Sequence, residues 1–159
     1  MTDAPSPEWE SSTRDLYTRL LDAWDKRNAR DFALLFASDG SLVGFDGSQV
    51  NGQLEIGAHL SEIFSHHQTP RYVGIVREVR QLSADTALLR ANSGLVPAGK
   101  DDIEPKLNAV QSMVAVHKTG GWKVAHFHNT PAAFDQHPEL AKKLTEELRA
   151  RLRTQSAQT

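Results

Sequence analysis

The sequence predicts an α+β domain in which three helices near its start lie over the concave face of a curved, mostly antiparallel sheet, with one further helix at its end. Three observations predict it. Apolar residues recur at spacings of three and four in the segments before His67, β-forming types fill long runs between Arg71 and Thr130, and leucines repeat every four residues after Pro138. Runs of helix followed by runs of strand give α+β layering, and helices on the concave side make the result a cone.

The elements follow in order. Met1 to Glu10, with Pro5, Ser6 and Pro7, is expected to be a loose tail. Ser12-Thr13-Arg14-Asp15 has the form of a capping box and opens a helix whose inward face is Leu16, Tyr17, Leu20, Leu21 and Trp24. Asn28, with Asp31 at the third helical position, caps a shorter helix carrying Phe32, Leu35 and Phe36, which Ser38-Asp39-Gly40 stops. A short strand over Ser41 to Phe45 follows. Asp46-Gly47-Ser48 makes a turn, and after Asn51-Gly52 a third helix runs to about His67, with Ile56, Leu60, Ile63 and Phe64 inward and Glu55, His59 and Glu62 in water. Pro70 ends that region. Arg71 to Leu82 and Thr86 to Val96 read as strands joined by Ser83-Ala84-Asp85, and Pro97 to Pro105 is a polar loop.

The long hairpin is the most informative segment. Ala109 to His117 and Trp122 to Thr130 flank Lys118-Thr119-Gly120-Gly121, and an even loop pairs odd positions of the first strand with even positions of the second. Gln111, Met113, Ala115 and His117 then share a face with Trp122, Val124, His126 and His128. The opposite face would hold Val110, Ser112, Val114 and Val116 beside Lys123, Ala125, Phe127 and Asn129. A last helix begins near His137-Pro138-Glu139 and runs to about Arg153, where Leu140, Leu144, Leu148 and Leu152 form a narrow stripe suited to docking along one line, against a neighbouring subunit for example. The expected organisation is a tail over 1–10, a domain over 11–133, and a helix with its tail over 134–159.

Composition narrows the function. A chain of 159 residues that is 39% hydrophobic can bury one core, and a net charge of −2 supplies no electrostatic footprint for nucleic acid or an anionic membrane. The absence of cysteine excludes disulfides, thiolate metal sites and cysteine nucleophiles. With neither a secretory signal pattern nor a long apolar run at the start of the sequence, a cytoplasmic location is the expectation.

Several residues resemble a known family: Asn28-Ala29-Arg30-Asp31, Leu35-Phe36-Ala37-Ser38-Asp39-Gly40, Asp46-Gly47, Asn51-Gly52, Gln111-Ser112-Met113-Val114, and above all Gly121-Trp122-Lys123-Val124-Ala125-His126-Phe127-His128-Asn129-Thr130-Pro131. Over Ser11 to Ala133 the chain resembles the NTF2-like superfamily with its SnoaL-like cyclases, and within it the SgcJ/EcaC group. The resemblance implies a cone-shaped fold with an interior pocket, dimerisation through the sheet, and an association with enediyne polyketide biosynthesis. The chain carries no dinucleotide fingerprint, no cofactor is expected, and the chemistry expected of an enzyme here is acid–base: cyclisation, isomerisation or dehydration.

On this reading the candidate catalytic groups are His126 and His128, two apart on one strand, with Gln111 orienting a carbonyl or hydroxyl. The plainer alternative is that these side chains bond to each other, to Trp24 or to backbone and define a polar core. His126-x-His128 lacks a properly spaced third ligand, so no metal is expected. Trp24, Phe36, Phe45 and Met113 are candidates for the apolar wall of a small-molecule site, or plain core. Arg90 would hold a carboxylate or enolate if it faced inward, and the outward placement is the expectation. Asn129 either terminates its strand or reaches a ligand at the cavity mouth. The expected ligand is a hydrophobic polyene or polyketide intermediate. A homodimer through the Val110, Val114, Val116 and Phe127 face is expected, with a synthase or tailoring enzyme as a further partner. The rival function is a non-catalytic accessory module docking onto such a synthase.

Overall fold

The computed structural model describes residues 5–157 and shows a six-stranded sheet with helices against both faces. Helix α1 (Glu8–Asp25) starts a turn before the capping box, at Pro7. Proline suits that boundary, Glu8 and Glu10 sit where the helix dipole favours acids, and Ser11 donates its hydroxyl back to the carbonyl oxygens of Pro7 and Glu8. Part of the expected tail is therefore helical, and its residues 1–4 lie outside the described residues. Helix α2 (Ala29–Leu34) is capped as expected, the Asp31 N–H donating to the Asn28 side chain at 2.9 Å.

Strand β1 (Phe36–Val43) begins five residues before the expected strand, because Phe36 enters the sheet rather than the second helix. Strand β2 (Gln49–Asn51), absent from the sequence expectations, pairs with it across the Asp46-Gly47 turn. Helix α3 (Gln53–His66) buries Ile56, Leu60 and Phe64. Strands β3 (Arg71–Ser83), β4 (Thr86–Val96), β5 (Ala109–Lys118) and β6 (Gly121–Pro131) follow in antiparallel succession. The spatial order is β2-β1-β6-β5-β4-β3, and β1 alone runs parallel to its neighbour β6.

A bulge in β6 overturns the expected faces of the hairpin. Near the turn the predicted parity holds, with His117 opposite Trp122 and Ala115 opposite Val124; beyond Ala125, Val114 faces His126, Met113 faces Phe127 and Gln111 faces Asn129. One extra residue flips every side chain after it. Phe127 and Asn129 therefore join Gln111 and Met113 beneath the helices, whereas His126 and His128 move to the convex face. Gly40 makes the same region possible from β1, since a Cβ there would lie 2.8 Å from the Val124 carbonyl oxygen.

Helix α4 (Pro138–Ala157) docks on the molecule's own sheet. Leu144 and Leu148 pack with Val73, Val96 and Ile103 on the convex side of β3 and β4, while Leu140 remains 42% exposed. Arg149 reaches Asp102 at 2.9 and 3.1 Å, Arg77 reaches Glu147 at 2.9 Å, and the Asn108 amide donates to Thr145 at 2.9 Å. No helix among the described residues is long and apolar enough to cross a membrane.

Candidate ligand cavity

The concave face is roofed by α1 over β3, β4 and β6, and by α2 and α3 over β1 and β2. Between these layers lies a cavity of about 540 Å³ with a predominantly apolar wall. Leu20, Phe32, Leu42, Leu60 and Phe127 form its buried end. Phe45, Asp46, Ser48, His59 and Thr69 line it where its residues reach solvent. His59, expected to face water, thus borders the cavity.

Trp24 and Tyr72 stand side by side in the wall. The Trp24 indole N–H donates to the Pro70 carbonyl oxygen at 2.8 Å, and its ring meets Tyr72 and Phe64 edge-on at 5.4 and 5.3 Å. The Tyr72 N–H donates to Asp25 Oδ1 at 2.8 Å. Partial burial raises the Asp25 carboxyl to a pKa of about 6, against the opposing effects of that hydrogen bond and of the Arg71 charge. Burial also pushes the Tyr72 hydroxyl up to about 12 and the Tyr17 hydroxyl well above the usual phenol range, so both are neutral donors at ordinary pH.

A chain of polar side chains closes the inner end. Tyr17 donates to Gln111 Oε1 at 2.6 Å, the Gln111 amide donates to Asn129 Oδ1 at 3.4 Å, and the Asn129 amide donates to the Tyr72 oxygen at 3.5 Å. Gly74 lets α1 come close enough for this, because a Cβ there would lie 2.7 Å from the Tyr17 hydroxyl. Asn129, sent to the wrong face by simple parity, lines the cavity; Gln111 sits behind it, 1% exposed.

The other sequence candidates divide. Trp24 and Phe45 line the cavity. Phe36 and Met113 do not: both are fully buried in the core behind its wall, where tight packing rather than a ligand accounts for them. Arg90 faces outward and is paired with Glu78. His126 and His128 stand together on the convex face, rings 5.7 Å apart, with Ser41 Oγ 2.7 Å from His126 Nδ1. Partial burial and the neighbouring His128 lower the His126 pKa. Neither imidazole shares a face with Gln111, so the predicted three-residue constellation does not assemble. Among the described residues no three His, Asp or Glu side chains cluster as metal ligands would. Sequence reasoning passed over both tyrosines as site residues: Tyr72 lines the cavity, and Tyr17 supports its polar end through Gln111 and Asn129. Their signal was present: each is an aromatic hydroxyl on an otherwise apolar face, which requires a partner when buried.

A curled sheet roofed by helices over an apolar cavity defines the cone-shaped NTF2-like class. The family comparison is more specific. A model described as the SnoaL-like domain matches residues 14–133, and the chain belongs to that family. Among solved structures, a domain of unknown function with a cystatin-like fold from Nostoc punctiforme matches with a TM-score of 0.76 at 20% identity, covering 96% of this chain and 95% of that one. A ketosteroid isomerase-like protein from Erwinia carotovora matches with a TM-score of 0.64 at 17% identity, over 80% of this chain and 98% of that one. An NTF2-like protein of unknown function from Shewanella oneidensis gives 0.63 at 15% identity, over 76% and 97%. At these identities the likeness is one of fold. The search of curated proteins found no match.

Proposed function

We propose that this protein binds a hydrophobic small molecule, a polyene or polyketide intermediate, in the cavity beneath its helices and so assists a biosynthetic step, as a cytoplasmic homodimer. The carrying observation is the cavity of about 540 Å³, whose wall is apolar and whose few polar groups converge at its two ends. Membership of the SnoaL-like family and the hairpin motif resembling the SgcJ/EcaC group support the polyketide assignment. Acid–base chemistry on the ligand falls to His59 and Asp46, which border the cavity, rather than to His126 and His128 on the opposite face. The dimer uses the strip of convex sheet that α4 leaves uncovered, including Val110, Val114 and His128.

Titration of tryptophan fluorescence with a tricyclic aromatic quinone, in a Trp9→Phe, Trp122→Phe background that leaves Trp24 as the one emitter, tests the binding reading. Saturable quenching is expected, weakened at least about tenfold by Ile63→Phe, which narrows the cavity, and unchanged by His126→Ala or His128→Ala. Quenching that ignores Ile63→Phe and responds to the histidine variants would overturn it.

A further inference from the structure

We propose that Tyr72 sets the ligand specificity of this cavity: the chain Tyr17, Gln111, Asn129, Tyr72 runs in one direction and presents hydrogen-bond donors at its cavity end, selecting an apolar molecule that carries a neutral carbonyl oxygen. This rests on the cavity being a ligand site.

The direction is fixed from the buried end. Tyr17 is 2% exposed, and its hydroxyl has Gln111 Oε1 as its one acceptor among the described residues, at 2.6 Å. Turning the Gln111 amide around would leave the Tyr17 proton buried without an acceptor, which costs more than a hydrogen bond contributes. The oxygen of Gln111 therefore faces Tyr17 and its nitrogen faces Asn129 Oδ1. The same logic then points the Asn129 nitrogen at the Tyr72 oxygen. Each amide oxygen is engaged by the donor before it. What remains unpaired is the Tyr72 O–H and the second N–H of Asn129, on two residues that both line the cavity.

The bonds lengthen from 2.6 to 3.4 to 3.5 Å on approaching the cavity, so the pairing is firmest at the buried end that sets its direction. A carbonyl oxygen has two lone pairs for two donors. A hydrocarbon leaves both donors unpaired, and an ammonium group brings further donors to a place that lacks acceptors. The pairing is discriminating because the side chains of Leu20, Leu42 and Phe127 in the same wall are apolar.

The test compares α-tetralone with tetralin, in which a methylene stands in place of the carbonyl, by isothermal titration calorimetry on the intact protein. The ketone is expected to bind about tenfold more tightly, the worth of one buried hydrogen bond. Tyr72→Phe, which removes one of the two donors, is expected to reduce the ratio of the two affinities several-fold. Tyr17→Phe, which frees the amides to turn, reduces it. Equal binding of the two probes, or a preference that Tyr72→Phe leaves at its full size, overturns the inference while leaving the cavity reading intact; binding of neither overturns both. Should Tyr72→Phe not fold, the infrared carbonyl stretch of bound α-tetralone decides: a shift to lower frequency than in hexane supports the donor pair, and an unshifted band overturns it.

Discussion

The Tyr17 hydroxyl and the Gln111 side-chain oxygen, 94 residues apart in sequence, meet at 2.6 Å under the first helix, and both residues are at most 2% exposed. Tyr17→Phe removes the donor but leaves a buried amide short of a partner. A loss of about 1–3 kcal/mol is expected in urea denaturation. A variant as stable as the wild type would show that Gln111 has another partner.

Gly40 is the point of closest approach between β1 and the bulged strand. Its missing Cβ would lie 2.8 Å from the Val124 carbonyl and 3.0 Å from that of Ala37, both backbone atoms that cannot swing aside. Gly40→Ala is therefore expected to destabilise by about 1–3 kcal/mol, the usual range for overpacking. Gly57→Ala is the control, because its nearest neighbour would be the Ala33 side chain at 3.4 Å.

Helix α4 is held by apolar contact more than by charge. Leu148→Ala, at a fully buried position, should cost about 2–5 kcal/mol, whereas Leu140→Ala at the exposed end of the same stripe should be close to neutral. The surface ion pairs Arg149 with Asp102 and Arg77 with Glu147 add little each. Hydrogen exchange of α4 amides after Arg149→Ala should change only slightly; rapid exchange would make the ion pair the main tether.

Asp25 makes stability pH-dependent. Its folded pKa of about 6 lies above the ordinary 3.8, so the folded state binds the proton more tightly than the unfolded chain. The stabilisation from this group is full below pH 3.8 and is lost as pH rises through 6. In Asp25→Asn that fall should vanish, with the Tyr72 N–H bond retained by the amide oxygen. Denaturation midpoints measured from pH 4 to 8 check this, and parallel curves for both proteins would remove Asp25 as the cause.

The proposed dimer is separable from the cavity. Val110→Asp with Val114→Asp on the open convex strip should yield a monomer by light scattering while the quinone titration stays the same. A wild-type monomer would remove the dimer from the proposal without touching the ligand site.

Local chemistry made much of the fold legible. Asn28 and Asp31 cap α2 as their spacing dictates, Pro70 separates α3 from β3, and the Thr119-Gly120 turn sets the register of its nearest pairs. The apolar faces of α1 and α3 are those their periodicity marks, because a helix folded against a sheet buries the side its sequence makes apolar. Trp24 and Phe45 reach the cavity as expected. The histidines do not, and the hairpin holds a visible hint of the reason. Val124 and Phe127 are both buried although three residues apart, an interval that a regular strand cannot place on one face.

The sequence by itself determined the α+β class, the order and identity of the main elements, and the family, since these depend on spacing, capping and turn residues close together along the chain. Only the tertiary structure decided which polar groups meet. The extra residue at Ala125 reassigns His126, His128 and Asn129 between faces, and Gly74 admits Tyr17 to Gln111 across 94 positions. The Leu144 and Leu148 stripe likewise finds its partner on its own sheet. Each of these outcomes depends on long-range packing in three dimensions, where a shift of one residue in register exchanges the inside of the cone for the outside.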